Sequence, residues 1–301
     1  MPRRPGTLQR ILKRLNIALH VALKTIIFCF ACHATISVVG NSDGFGRRTP
    51  IAHRDSIVLA DGSLIDINAN SLVFLRDGPH RRQIFVPDGE ILATVRHNET
   101  KPLTIVFNHA VITDIGTRLD VSVHGSTANV SVTEGELRIT NRLDDGSQLD
   151  PMIVTASGSR RGKVILHKGD SARLEEQAGT LFVTFSPNDL TSAQNRTSWT
   201  QGKFVSFGQP LDETALQFNR YTTTPLVIED PQIASQRFGG TYDLTKIDAL
   251  VLGLRRLGYD ITSIQDERGE LQAYVLGSAP NASSSRTQSP HKPNRLCPCR
   301  R

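Results

Sequence analysis

The chain has 301 residues and a formal net charge of +6, long enough for two ordinary domains with terminal extensions, since single cores seldom grow past roughly 250 residues. Its charge is unevenly spread. Met1 to Arg48 holds eight Lys or Arg and one acid, Asp43, while Gly277 to Arg301 holds five Lys or Arg and no acid, which leaves Thr49 to Leu276 acidic. Nucleic-acid binding needs cations clustered on the folded surface; here the folded part has the wrong sign, and no nucleic-acid partner is expected.

Arg3, Arg4, Arg10, Lys13 and Arg14 precede an apolar stretch from Leu15 to Val39, interrupted by His20, Lys24 and His33. Cations ahead of an apolar run keep an N-terminus in the cytoplasm, so residues 1–40 are read as an export segment and everything after Gly40 as exported. Two fates are open. A retained signal anchor would cross the inner membrane once, with Lys24 snorkelling to the inner face; a cleaved signal peptide, with its apolar core at Thr25 to Ala31, would release a periplasmic protein. Residues 41–53 read as a linker.

From residue 54 to 187 the pattern predicts an antiparallel all-β domain. Ile57 to Ala60 and Leu64 to Ile67 flank Asp61-Gly62, a pair suited to a tight type I′ hairpin. Alternation recurs at Val121/Val123, Val130/Val132 and Leu137/Ile139, as one buried face per strand requires. Gly62, Gly78, Gly89, Gly116, Gly125 and Gly135 punctuate the segments at hairpin spacing, and further strands are expected at Met152 to Thr155, Lys163 to His167 and Ser171 to Leu174. Residues 188–202 are polar and read as a second linker.

Between residues 203 and 276 the period changes. Leu211, Ala215, Phe218 and Tyr221 form an apolar stripe behind Pro210, followed by a strand at Leu226 to Ile228 that stops at Asp230-Pro231. A strand from Arg237 to Tyr242 leads into the helical stripe Ile247, Leu250, Val251, Leu254 and Leu257, ended by Gly258. Tyr259 to Ile264 and Leu271 to Val275 close as a hairpin around Arg268-Gly269. Two strand–helix–strand units in tandem predict a small α+β domain, so the fold class is mainly β. Residues 277–301, rich in Ser, Pro, Asn and Arg, offer little to bury and read as a disordered tail.

Several segments repeat one vocabulary: Leu59-Ala60-Asp61-Gly62-Ser63, Gly89-Glu90, Gly116-Thr117-Arg118-Leu119-Asp120-Val121 and Val132-Thr133-Glu134-Gly135-Glu136-Leu137. A second block runs from Trp199-Thr200-Gln201-Gly202-Lys203 through Leu216-Gln217-Phe218-Asn219-Arg220-Tyr221 to Gly239-Gly240-Thr241-Tyr242-Asp243. In this order the two blocks, spanning roughly Arg54 to Val275, resemble the FecR family. That family comprises inner-membrane signal transducers whose periplasmic part hears an outer-membrane receptor and whose cytoplasmic part controls an alternative sigma factor. The resemblance implies that the partner is the N-terminal signalling domain of a TonB-dependent receptor, commonly one for iron uptake, and that the α+β domain is similar to the short N-terminal module of secretins and TonB-dependent receptors. The sequence departs from the family in carrying only Met1 to Arg14 ahead of the apolar stretch, where the family has a helical sigma-binding domain. A sigma factor would then be reached through another chain. The alternative is a stand-alone periplasmic adaptor.

No catalytic constellation is found, and an enzyme is not expected. Cys29-Phe30-Ala31-Cys32-His33 matches the pattern for haem attachment, but lies inside the apolar stretch and is read as packing. Cys297-Pro298-Cys299 supplies two thiols, too few for a tetrahedral site. His53, His80, His97, His109, His124, His167 and His291 are scattered singly, with no ligand spacing on one face. Glu134 and Glu136 read as a solvated strand face. No cofactor or metal is therefore expected. Asp61, Gly62, Gly116, Thr117, Arg118 and Gly135 are read as structural turn residues, Asp120 as a cross-strand partner, and Asn219, Arg220 and Tyr221 as a cap on the first helix. The candidate partner-binding residues are Arg237, Phe238, Gly239, Gly240, Thr241 and Tyr242, because a small sheet must leave an edge open and two glycines present little side chain to an approaching backbone. The same glycines would also fit a β-bulge.

Overall fold

Alternating strands of 2 to 14 residues build the first domain of the computed structural model, which describes residues 44–277 apart from 79–80, 115 and 188. Residues 1–40, read above as an export segment, the stretch after Gly277 and all four cysteines lie outside the described residues. Sixteen strands form one curled sheet whose main path is β11 (Gln148–Leu149), β10 (Glu136–Arg142), β7 (Ala110–Asp114), β6 (Leu103–Phe107), β5 (Arg81–Thr94), β8 (Arg118–His124), β9 (Thr127–Glu134), β15 (Ser171–Gln177), β16 (Thr180–Ser186), β12 (Met152–Thr155) and β13 (Gly158–Arg161). Off this path, β1 (Gly44–Arg48) pairs with β4 (Leu72–Gly78), β4 pairs with β5, β2 (Asp55–Val58) pairs with β3 (Leu64–Ile67), and β14 (Val164–His167) pairs with β10.

Strand β5 makes the curl possible. Its first half pairs with β4 and β6, and its second half with β3 and β8. The bend falls at Pro87-Asp88-Gly89, where Gly89 has φ +127° and a Cβ would lie 2.4 Å from that of Ser71; only glycine fits there. The inner faces enclose an aliphatic core in which Ile65, Ile84, Ile105, Ile112, Val121, Val130, Leu166 and Leu174 are fully buried.

The second domain follows the expected order of two strand–helix–strand units. Strand β17 (Lys203–Pro210) leads into α2 (Leu211–Asn219) and β18 (Leu226–Ile228); a short α3 (Pro231–Ala234) precedes β19 (Arg237–Asp243), α4 (Ile247–Arg256), β20 (Asp260–Gln265) and β21 (Leu271–Gly277). Strands β17 and β19 pair as one two-stranded sheet, and β18, β21 and β20 form a second in that order. Gly258, at φ +92°, closes α4 with the paired bonds Gly258 N–H to Arg255 and Tyr259 N–H to Leu254, the Schellman arrangement its position predicts.

Four expectations are corrected. Residues 44–48, assigned to a linker, are strand β1. Residues 188–202, also assigned to a linker, contain α1 (Leu190–Arg196) and a 3-10 turn (Thr197–Gln201), with Asp189 capping α1 by accepting from Ser192 N at 2.8 Å. Ala193, Thr197 and Trp199 of this segment are buried while its other polar residues are exposed or half-buried, so it packs on the fold by a few side chains and is not a solvated connection. The turn at Asp61-Gly62 is not type I′, which needs positive φ at both central residues. Only Gly62 has it, at +81°, and the bonds Gly62 N–H to Leu59 and Leu59 N–H to Ser63 describe a type I turn closed by a glycine bulge. Finally, Glu134 and Glu136 do not share a strand: Gly135, at φ +76°, turns the chain between β9 and β10.

Candidate functional site: an open strand edge above a buried polar seam

The two domains belong to one compact unit, and the seam between them is built from polar side chains. The outward residues of β5 and β8 include Glu90, Leu92, Asp120 and Ser122, all buried. Leu92 and Ala69 join the second domain's core of Trp199, Phe204, Leu211, Phe218, Leu250 and Leu254, so the α+β domain covers this part of the sheet's outer face.

Arg220, at the C-terminal cap of α2, is the centre of the seam. Its side chain is 4% exposed and faces Glu90, 2% exposed, with Nε 3.6 Å from Oε2. Its Nη2 donates to Ser122 Oγ at 3.3 Å and its Nη1 to the Asn70 carbonyl at 3.4 Å. Glu90 also accepts from Asn68 Nδ2 at 2.5 Å and from Gln217 Nε2 at 2.9 Å. The Tyr221 hydroxyl donates to Asn68 Oδ1. Trp199 Nε1 donates to Asp120 Oδ1 at 2.9 Å, and Arg54 Nη1 donates to the Trp199 carbonyl at 2.6 Å. Beside them, Arg196 and Arg173 both pair with Glu213 at 3.3 Å. A crevice of about 30 Å³, lined by Glu90, Ser122, Trp199, Glu213 and Gln217 among others, has room for about one water molecule.

The electrostatics follow from burial. Desolvation first, and the negative charge of Glu90 second, push the Asp120 carboxyl well above the ordinary carboxylate range, against the bond from Trp199 and the charges of Arg196 and Arg220. Burial likewise raises the Tyr221 phenol. Glu90 and Arg220 face one another as an ion pair, whereas burial biases Asp120 toward its uncharged form. Arg220 and Tyr221 thus do more than cap a helix: they are the second domain's anchors in the first. Asn219 stays local, its side-chain amide donating to Leu226 O at 3.0 Å and accepting from Leu226 N at 2.8 Å.

The candidate partner-binding residues form β19. This strand pairs with β17 alone among the described residues. Leu244 N–H bonds the Gly202 carbonyl at 3.0 Å, so by the alternation of an antiparallel ladder the amides of Gly240 and Tyr242 turn to β17 and those of Gly239, Thr241 and Asp243 turn away. Phe238 is buried and stacks on Tyr242 with ring centroids 5.7 Å apart, and Tyr242 meets Phe218 edge-on. Arg237 Nη1 donates to the Gly208 carbonyl at 2.8 Å. The glycines serve the fold as well as the edge: Gly240 has φ +150°, and a Cβ there would lie 2.5 Å from the Tyr242 ring. The bulge lies in the neighbouring strand, where the register shifts between Phe207 and Gln209.

The remaining motif residues sit at turns, away from this edge. Asp61 pairs with Arg82, which is 1% exposed; although its partial burial works the other way, bonds from Ser63 and the Arg82 charge hold Asp61 below its usual value. Gly116, at φ +140°, and Thr117 both donate to Asp114 Oδ1. The Arg118 carbonyl accepts from Thr133 Oγ1 at 2.9 Å. A Cβ at Gly135 would lie 2.5 Å from the Gly116 carbonyl oxygen, so the two turns stack. Among the described histidines, His97, His109, His124 and His167 each face a carboxylate, and no described group of three or more His, Cys, Asp or Glu is placed to hold a metal ion.

Two side chains at the heart of the seam, Glu90 and Trp199, went unassigned in the sequence, and Asp120 was read only as a strand partner. The signal available was thin: one tryptophan in a polar stretch, and acids at outward positions of apolar strands.

A curled β domain bearing a small α+β domain is the class this architecture defines. Two crystal structures of a candidate anti-sigma factor from Parabacteroides distasonis share it: one superposes with a TM-score of 0.60 at 15% identity, covering 78% of this chain and 100% of that one, and the other with 0.59 at 16%, covering 77% and 98%. No curated protein matches the chain. Residues 47–138, within the first domain, match the family model described as FecR protein.

Proposed function

We propose that this chain is an envelope signal transducer of the anti-sigma regulator type, in which the α+β domain receives a partner along β19 and the buried seam passes the bound state to the FecR region. The observation that carries this reading is the open edge of β19 on a domain pinned to the FecR region through Arg220, Tyr221 and Trp199. The FecR match and the fold shared with a candidate anti-sigma factor support it. The partner proposed is the N-terminal signalling domain of a TonB-dependent receptor, docking by strand addition, and the chain is exported after Gly40.

The test is Thr241→Pro in the full chain. Proline removes an amide that points away from β17, so binding of the receptor domain is lost while circular dichroism is unchanged. A folded variant that binds with unaltered affinity removes β19 as the docking edge. A reporter active only in the cytoplasm, fused after Leu276, stays silent if the chain is exported; strong activity overturns the envelope reading. Co-purification of a sigma factor with this chain, lost on deleting Pro2 to Arg14, would place sigma binding in the chain itself.

A further inference from the structure

We propose that the outer face of β1, β4 and β5 docks onto an anionic lipid surface, an inference that rests on the export reading of residues 1–40. A solvated face of an antiparallel sheet ordinarily carries polar side chains. Here Phe74 and Phe85 lie directly opposite one another across β4 and β5. They are 41% and 38% exposed, with rings stacked at 6.2 Å and 27°. The edge strand β1 accommodates them. A Cβ at Gly46 would lie 3.0 Å from the Phe74 ring, and one at Gly44 3.1 Å from Arg76 Cγ, so the absence of side chains on β1 lets Phe74 and Arg76 lie across it.

The same register brings cations to this face. Gly46 is opposite Phe74, Gly44 opposite Arg76, Arg48 opposite Leu72, and Gly78 opposite Arg81. Arg48, Arg76 and Arg81 are exposed, and none of them forms an ion pair among the described residues. One carboxylate faces this way, Asp88 of β5 opposite Leu72; it pairs with His124 at 3.3 Å and lies at the far end of the register from Arg76 and Arg81. Aromatic rings flanked by guanidinium groups suit a headgroup layer, where rings reach the acyl boundary and arginine pairs with phosphate.

Sequence supplies the argument for lipid over other occupants. Only Gly40 to Asp43 separate the apolar stretch ending at Val39 from Gly44, and a connection of that length reaches at most about 18 Å. An anchored chain would therefore present this face to the bilayer at high effective concentration. A second copy using the same face would set arginines against arginines, which disfavours self-pairing.

The test uses the full chain with a protease site inserted between Asn41 and Ser42, reconstituted into phosphatidylcholine vesicles with or without phosphatidylglycerol. Chains facing outward are cut and the vesicles floated. The C-terminal product is expected to float with phosphatidylglycerol vesicles at low salt, and to leave them at high salt or when that lipid is omitted. Arg76→Glu with Arg81→Glu lowers the affinity for phosphatidylglycerol vesicles by at least roughly 30-fold, the usual contribution of two cations near an anionic membrane, and Phe74→Ser lowers it as well. Arg160→Glu with Lys168→Glu, exposed on other strands and turns, leaves it unchanged. Release of the product from phosphatidylglycerol vesicles at low salt, or equal loss in the Arg160/Lys168 variant, overturns the proposal. Floating before the cut reports on the anchor separately: an uncut chain that floats with both vesicle types is anchored, one that floats only with phosphatidylglycerol vesicles supports the face without an anchor, and one that floats with neither overturns both.

Discussion

Inside the curled sheet, Ile65, Ile84, Ile105, Val130 and Leu166 meet apolar neighbours, whereas on the reverse side of the sheet Glu90, Asp120 and Arg220 are buried with polar partners, beside the apolar cluster that Tyr221 and Trp199 join. Burial alone therefore does not distinguish the two regions. The aliphatic interior gains from area removed from water and is indifferent to orientation. The seam gains little net energy from its charges, because desolvation offsets much of their attraction, but each hydrogen bond has a direction. The interior makes the sheet stable; the seam sets how the α+β domain sits on it.

Removing Arg220 gives the largest separation between the two regions. Arg220→Ala leaves Glu90 buried without its cation and is expected to cost about 3–5 kcal/mol, read by denaturant unfolding. Coupling to Glu90→Gln in a double-mutant cycle should exceed about 1 kcal/mol; additive effects would show that the pair does not act as one. In the interior, Ile105→Val removes one methylene from an apolar site and should cost about 0.5–1.5 kcal/mol, with binding at β19 unaltered. If Ile105→Val disturbed partner binding as much as Arg220→Ala, the assignment of orientation to the seam would fail.

Two smaller effects lie in the pH dependence. The folded Asp120 carboxyl titrates above its unfolded value, so the native state holds the extra proton. Its contribution to stability is present below the ordinary carboxylate range and is lost as pH rises through the raised folded value. Asp120→Asn keeps an oxygen for Trp199 Nε1 and needs no proton; it should flatten the unfolding free energy across that window and be at least as stable as the parent at neutral pH. A steeper dependence in the variant would contradict a neutral Asp120. His109 is the surface counterpart. The Glu176 carboxylate, 2.8 Å away, raises its pKa despite some desolvation, with Asp144 assisting. That stabilisation is complete below the unfolded histidine value and fades as pH rises through the folded one, so His109→Gln should lose stability at the acid side of neutrality and little above it.

Much of the fold was legible in order and type. The strand–helix–strand repeat from Lys203 to Gly277, the Schellman close at Gly258 and the strands around Val121, Val130 and Ile139 all follow from periodicity and turn residues, which act over a few positions along the chain. The candidate edge at Arg237 to Tyr242 was legible as a strand, although Gly240 has a conformational duty that spacing does not reveal. What failed was local polarity. Residues 189–201 look solvated because most of them are polar and at least part-exposed, yet they carry Trp199 into the interior, where it bonds Asp120.

From the sequence by itself came the two domains, the alternation that hides one face of each strand, and the FecR resemblance. Tertiary structure alone decided what covers the other face. An outward Asp or Glu on a strand has the same sequence signature whether water or a second domain lies over it, and Asp120 and Trp199 are 79 residues apart. Arg220 and Ser122 are separated by 98. Only the folded chain brings such positions together, and only their shared exclusion from water turns a scatter of polar residues into a seam.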